Sequence, residues 1–177
     1  MRSFLVSMVL GLFIGTVAWV TFFPHKEVWR TIKHFEEENG GANKLIHRRD
    51  LVGPEFDAIV KPNNDTLYSL TSLDLSKGPL VFSMPPTGER YWSMQFMALS
   101  TDVDGLVGRR THGGAGQKFL LVNKNWQGSV TDDNLEIIRL PSKRYWMLAR
   151  VLVDGEADLG NVYIVQDGMA LTPFEPH

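Results

Sequence analysis

Residues Phe4 to Phe23 read FLVSMVLGLFIGTVAWVTFF, twenty positions without a charge. A helix of that length rises about 30 Å, the thickness of a bilayer's hydrocarbon core. In lipid every peptide N–H and C=O must be satisfied within the segment, which leaves the helix as the only single-segment solution. The competing reading is a cleaved signal peptide. Its apolar core is shorter, about 7–15 residues, and ends in small residues. Here the run ends in Trp19-Val20-Thr21-Phe22-Phe23-Pro24, which is bulky. The expectation is an uncleaved anchor over residues 1–23.

Flanking charge speaks less clearly about orientation. Arg2 precedes the span, and Lys26, Arg30 and Lys33 follow it. That count alone would leave the following domain in the cytoplasm, but large domains translocate largely regardless of such charges. Within the span, Gly11 and Gly15 stand four apart with Ser7 one turn before. Small residues at that spacing allow a second helix to approach closely, so Ser7, Gly11 and Gly15 are the candidate helix contact.

Composition narrows the rest. The chain has 177 residues, and the part beyond the anchor suits one domain with a proper core. Lys and Arg number 18 against 20 Asp and Glu, with no basic stripe in the domain, which argues against nucleic acid as a partner. There is no cysteine, so disulfides, thiolate metal sites and cysteine nucleophiles are excluded.

Residues 24–41 read as an amphipathic helix and linker. Val28, Ile32 and Phe35 recur at helical spacing, Pro24 suits a first turn, and Asn39-Gly40-Gly41 supplies a stop. Glu36, Glu37 and Glu38 sit at the unfavourable end of the dipole, which predicts a frayed last turn. The helix is placed either on the membrane surface or on the domain. Residues 42–177 then change period. Strands are expected at Phe56–Val60, Leu67–Leu75, Leu80–Met84, Tyr91–Leu99, Lys118–Asn123, Glu136–Leu140 and Tyr145–Val153, with turn residues between them. Ala157 to Gly168 reads as helix, and the tail as extended. Seven short strands predict a mainly β fold: an immunoglobulin-like or jelly-roll-type antiparallel β-sandwich with flanking short helices, preceded by one transmembrane helix. Arg90-Tyr91-Trp92 and Arg144-Tyr145-Trp146 echo each other, and the simple reading is aromatic packing at strand starts.

Catalytic signatures are missing: no nucleophile elbow, no His-Glu-x-x-His, no phosphate loop and no dinucleotide fingerprint. No cofactor and no metal are expected. Asp102-Val-Asp104-Gly105 opens like a calcium loop but lacks the closing Glu. Arg109-Arg110-Thr111-His112-Gly113-Gly114-Ala115-Gly116 has the charge and backbone freedom to cradle an anion, but reads more simply as a glycine-rich loop. His47 reads as a surface histidine. The polar group with most content is Pro62-Asn63-Asn64-Asp65-Thr66-Leu67-Tyr68-Ser69, where Asn and Asp fix a turn at a strand entry. Gln95 and Arg150 each interrupt an apolar strand. Asn64, Asp65, Tyr68, Gln95 and Arg150 are therefore the candidate ligand-binding set. A buried Arg150 needs a carboxylate, and Asp65 or Asp74 is the expected partner.

These residues resemble a known family. Gly40-Gly-Ala-Asn43, His47-Arg48-Arg49, Val60-Lys-Pro-Asn-Asn-Asp65-Thr-Leu-Tyr-Ser69, Gly88-Glu-Arg-Tyr91, Asp158-Leu159, Gln166-Asp167 and Leu171-Thr-Pro173 together look like domain-of-unknown-function family 1254. The resemblance implies a bacterial, often exported β-sandwich with no settled activity and no residue roles to carry over. Together with the N-terminal span, the expectation is a bacterial inner-membrane protein with a periplasmic domain. Longer members continue into a second β domain, of family 1214. The chain stops at His177, so a separate membrane-anchored protein bearing that domain is an expected partner, beside membrane lipid. The functional expectation is a non-enzymatic binding or assembly subunit of a membrane or envelope complex. The alternative is a small-ligand binder or enzyme using the polar set around Asn64 and Asp65.

Overall fold

Period-two alternation decides where the strands lie. In a computed structural model, which describes residues 2–51, 63–130 and 132–175, nine strands form two sheets. They are β1 (Ile46–His47), β2 (Thr66–Asp74), β3 (Leu80–Met84), β4 (Trp92–Ala98), β5 (Val103–Gly108), β6 (Gln117–Asn123), β7 (Leu135–Leu140), β8 (Arg144–Leu152) and β9 (Ala170–Pro173). The five-stranded sheet runs β1-β2-β8-β4-β5 and the four-stranded sheet β7-β6-β3-β9. The expected strand at Phe56–Val60 lies outside the described residues.

The two sheets bury their facing side chains against each other. Tyr145, Met147, Ala149 and Val151 of β8 alternate inward with Trp92, Met94 and Phe96 of β4, and meet Phe82 and Phe119 from the other sheet. Trp92 lies 6.3 Å from Phe119, ring centre to ring centre, across the core. Each fully buried side chain of this size contributes roughly 1.5–3 kcal/mol. The mainly β sandwich of the sequence reading is thus the observed architecture. Among the described residues every pairing is antiparallel except one: β7 runs parallel to β6.

Three local features take definite form. Asp102 to Gly105 builds no ion loop. Val103–Gly108 is edge strand β5, with Asp104 accepting the Tyr145 hydroxyl at 2.7 Å. Burial pushes the Tyr145 phenol up to about 12, so that hydroxyl remains a donor. Second, Arg109–His112 forms a one-turn helix, α2, and the glycines after it serve packing. Gly114 accepts the Thr87 and Gly88 amides at 2.9 and 3.0 Å, and a Cβ there would lie 1.8 Å from the Gly88 carbonyl oxygen. Third, the two Arg-Tyr-Trp tripeptides are not equivalent. Trp92 points into the core, whereas Trp146, second in step after Arg144, points out. A one-residue offset in a strand exchanges faces, so the echo is no repeat.

At the N-terminus one helix, α1 (Arg2–Asn39), runs unbroken through Pro24. The anchor and the amphipathic segment are one element. Pro24 has no N–H to donate and costs the helix a single hydrogen bond, too little to break an element of this length. The helix stops at Asn39 as expected, where Gly40 and Gly41 turn left-handed and the Gly41 amide returns to the Glu36 carbonyl at 2.7 Å. Helix α3 (Leu159–Asp167) is joined to the sandwich by Arg90, whose guanidinium grips Asp158 with both terminal nitrogens and the Leu152 carbonyl at 2.7 Å.

Two outcomes follow from these contacts. Gly114→Ala forces the two loops apart and lowers stability by about 1–3 kcal/mol in thermal melts. Asp158 responds to acid. The Arg90 guanidinium, with the Asp154 amide and Asn161, holds its carboxyl well below the usual carboxylate range. A depressed folded value means the stabilisation is complete above the unfolded value of about 3.9 and is lost as pH falls through it toward the folded one. Urea melts of Asp158→Asn should therefore show lower stability at pH 7 and a shallower loss below about pH 4 than the parent chain.

Candidate functional site

The outer face of the five-stranded sheet collects most of the unusual chemistry. Strand register places the side chains in rows across it. Tyr68, Arg150, Ser93 and Gly108 form one row, and Leu70, Leu148, Gln95 and Leu106 the next. A third holds Ser72, Trp146 and Met97, and a fourth Asp74 and Arg144. An antiparallel sheet with a solvated face normally carries polar side chains there. Here the second row is apolar except for Gln95, and Leu106 is 62% exposed.

Helix α1 covers one end of this face. Ile32 and Phe35 are buried, and Phe35 meets the Trp146 ring edge-on at 4.7 Å. The polar lock beneath is built on Arg144. One terminal nitrogen donates to Asp74 at 2.8 Å and the other to Glu36, while Trp29 lies over the guanidinium at 5.4 Å. Ser72 also donates to Glu36. Asn43, in a left-handed conformation after the glycine turn, pairs its amide with both backbone groups of Asp74 at 2.7 and 3.0 Å. Burial would raise the Asp74 carboxyl, but hydrogen bonds from Ser76 and the charge of Arg144 outweigh it and hold it low. Glu36 therefore does not fray the last turn; it docks it.

Of the ligand set, Tyr68, Gln95 and Arg150 share this outer face, while Asn64 and Asp65 are exposed in the turn before β2. The expected Arg150 ion pair does not form with either acid. Asp74 lies opposite Arg144, six residues from Tyr68, or roughly 20 Å along the strand. Asp65 stands exposed in the turn, outside the register that sets Tyr68 opposite Arg150. Instead Arg150 stacks over Tyr68 at 5.4 Å, and its Nε is buried without a hydrogen-bond partner among the described residues. Gln95 reaches only the Met97 sulfur at 3.4 Å, a weak acceptor. A cavity of about 180 Å³ opens farther along the face beside Ser93, Leu106 and Arg110; an open cleft of about 620 Å³ lies elsewhere, beside Lys118 and Asp132. None of the five residues lines either. Ser7, Gly11 and Gly15 lie one turn apart along an exposed side of α1, and a Cβ at either glycine would meet nothing within 4 Å.

The network that sequence reasoning missed lies at the β1 edge. His47 is half-buried, not a surface residue. Its Nδ1 meets the Ser69 hydroxyl at 2.8 Å, and burial followed by the charge of Arg49 pushes its pKa down. Gln166 of α3 donates to Ser69 at 3.2 Å and to the Tyr68 carbonyl at 3.1 Å. Arg49 grips Gln166 and Asp167 and stacks on Tyr163. Ser69 and His47 have the reach of a nucleophile and its base. Ser69, however, is 1% exposed and its hydroxyl is saturated by these two partners, so the pair fastens β1 and α3 to β2. The signal was in the text already: His47-Arg48-Arg49, Ser69 and Gln166-Asp167 all belong to the segments that carry the family resemblance. Among the described residues no three His, Asp or Glu side chains gather as a metal site requires.

Replacing Arg144 by Ala strands Glu36 and Asp74 together. The docked end of α1 should lose about 2 kcal/mol of protection, read by amide hydrogen exchange over residues 30–39 in detergent micelles. Arg144→Lys should restore only part of it, since a point charge cannot bridge both acids as the fork does.

The fold has a solved counterpart. The VPA0106 protein from Vibrio parahaemolyticus matches with a TM-score of 0.71 at 23% identity, over 89% of this chain and 37% of that one. An uncharacterised protein from Burkholderia cenocepacia aligns at a TM-score of 0.46 and 15% identity, over 77% of this chain and 38% of its own. The chain thus spans well under half the length of these solved proteins. Comparison with curated proteins finds no match. Over residues 42–173, from Ala42 beside the α1 stop to Pro173 ending β9, the family model for the protein of unknown function DUF1254 matches, and the chain belongs to that family.

Proposed function

We propose that this chain is a single-pass anchored β module of the bacterial inner membrane, its domain in the periplasm, acting as a non-enzymatic binding or assembly subunit. The observation that carries this reading is the outer face of the five-stranded sheet. Half-buried Leu70, Leu148 and Met97 and exposed Leu106 give it an apolar band beside α1, where a solvated sheet would be polar. A helix long and apolar enough to cross a membrane leads straight into that face, so the surface is presented at a set place relative to the anchor. A folded protein is the occupant that such a flat surface fits. One bearing a family-1214 domain is the candidate.

A photo-crosslinking amino acid at Leu106, in native membranes, tests this. One discrete adduct from Leu106 and none from Glu136 on the other sheet is the expected result, and Leu106→Asp should abolish co-purification of the same species. No adduct at Leu106, or the same adducts from both sites, would overturn the reading. A second reading, small-ligand binding, is favoured by one observation: the unsatisfied Arg150 Nε beside the Tyr68 ring suits a carboxylate or phosphate.

A further inference from the structure

The helix that docks on the sandwich has a second, opposite face. Lys26, Arg30 and Lys33 stand at i, i+4 and i+7, which aligns them on one side of α1. All three are exposed, Arg30 to 74% of its side chain. Ile32 and Phe35, which enter the sandwich, fall on roughly the opposite side of the same turns. The basic stripe begins just past the aromatic collar where the apolar run ends, with Trp19 and Phe23 stacked at 4.7 Å. Aromatic rings of this kind sit at the level of lipid headgroups.

Helix geometry places the charges. At 1.5 Å per residue, Lys26 stands about 4.5 Å beyond Phe23, Arg30 about 10 Å and Lys33 about 15 Å. The headgroup layer is roughly 5–8 Å deep on each side. Side chains on a helix lean toward its N-terminus, here toward the membrane, and long cationic stems extend that reach. Glu27 bonds Arg30 at 2.7 Å but is mostly covered, and a guanidinium keeps further donors free. Glu37, one turn past Lys33, ends the stripe with the opposite sign.

We propose that Lys26, Arg30 and Lys33 bind the phosphates of anionic lipid headgroups, so that α1 is held by the sandwich on one side and by the lipid surface on the other. This rests on α1 spanning the bilayer. Spin-labelled phosphatidylglycerol and phosphatidylcholine test it, with the full chain reconstituted in vesicles of phosphatidylcholine carrying a minor fraction of phosphatidylglycerol. The motionally restricted fraction of each lipid gives their relative association. The parent chain should prefer phosphatidylglycerol by about fivefold or more, the effect of one well-placed cation. The triple variant Lys26→Gln, Arg30→Gln, Lys33→Gln should bring the ratio near one, as should 1 M salt. A parent ratio of one, or a ratio unchanged in the variant, overturns the proposal. Displacement of the lipid by inorganic phosphate at matched ionic strength also overturns it, in favour of a free-phosphate site. A carbonate wash separates the premises: release of the chain removes the anchor and the proposal together, whereas retention with a ratio of one removes the proposal alone.

Discussion

Which side chains this protein hides and which it presents is decided by the pairing of β2 with β8. Nine consecutive residue pairs, Thr66 with Leu152 through Asp74 with Arg144, hold one register between segments far apart in sequence. A slip of one residue would send Tyr145 and Met147 to the outside and Trp146 and Arg144 into the core. The core, the lock on α1 and the row of Tyr68 and Arg150 all inherit this single alignment.

The docking of α1 depends on it at one remove. Glu36 alone would weaken a helix end, and Asp74 and Arg144 alone would be an ordinary cross-strand pair. Register brings Asp74 and Arg144 side by side at one end of the sheet, and α1 supplies the second carboxylate and the Trp29 ring. An acid that opposes the helix dipole becomes the group that fastens the helix. Rigid connection follows, because α1 has no break between its apolar length and its docked end.

The segments that carry the family likeness act mainly as fasteners between elements. Asn43 holds α1's exit to Asp74, Arg90 holds α3 through Asp158, and Arg49, His47, Ser69 and Gln166 sew β1 and α3 onto β2. Their chemistry is that of catalytic groups, yet each is saturated by a neighbour or shut away from solvent.

Much of this was legible from the chain alone, for local reasons. The uncharged run reads as a helix because a bilayer would offer its backbone no partner, and Gly40-Gly41 stops it because glycine takes left-handed angles freely. Strands β3, β4 and β8 show period-two alternation, whereas β6 shows itself as a short continuous apolar run, Phe119 to Val122. Edge strand β5 was hidden because Asp102, Asp104 and Gly105 look like a loop, and only the Tyr145 hydroxyl explains Asp104. The partner of Arg150 was equally out of reach. Parity and register choose it, and they emerge only when strands eighty residues apart align, an outcome of long-range packing that no local pattern encodes.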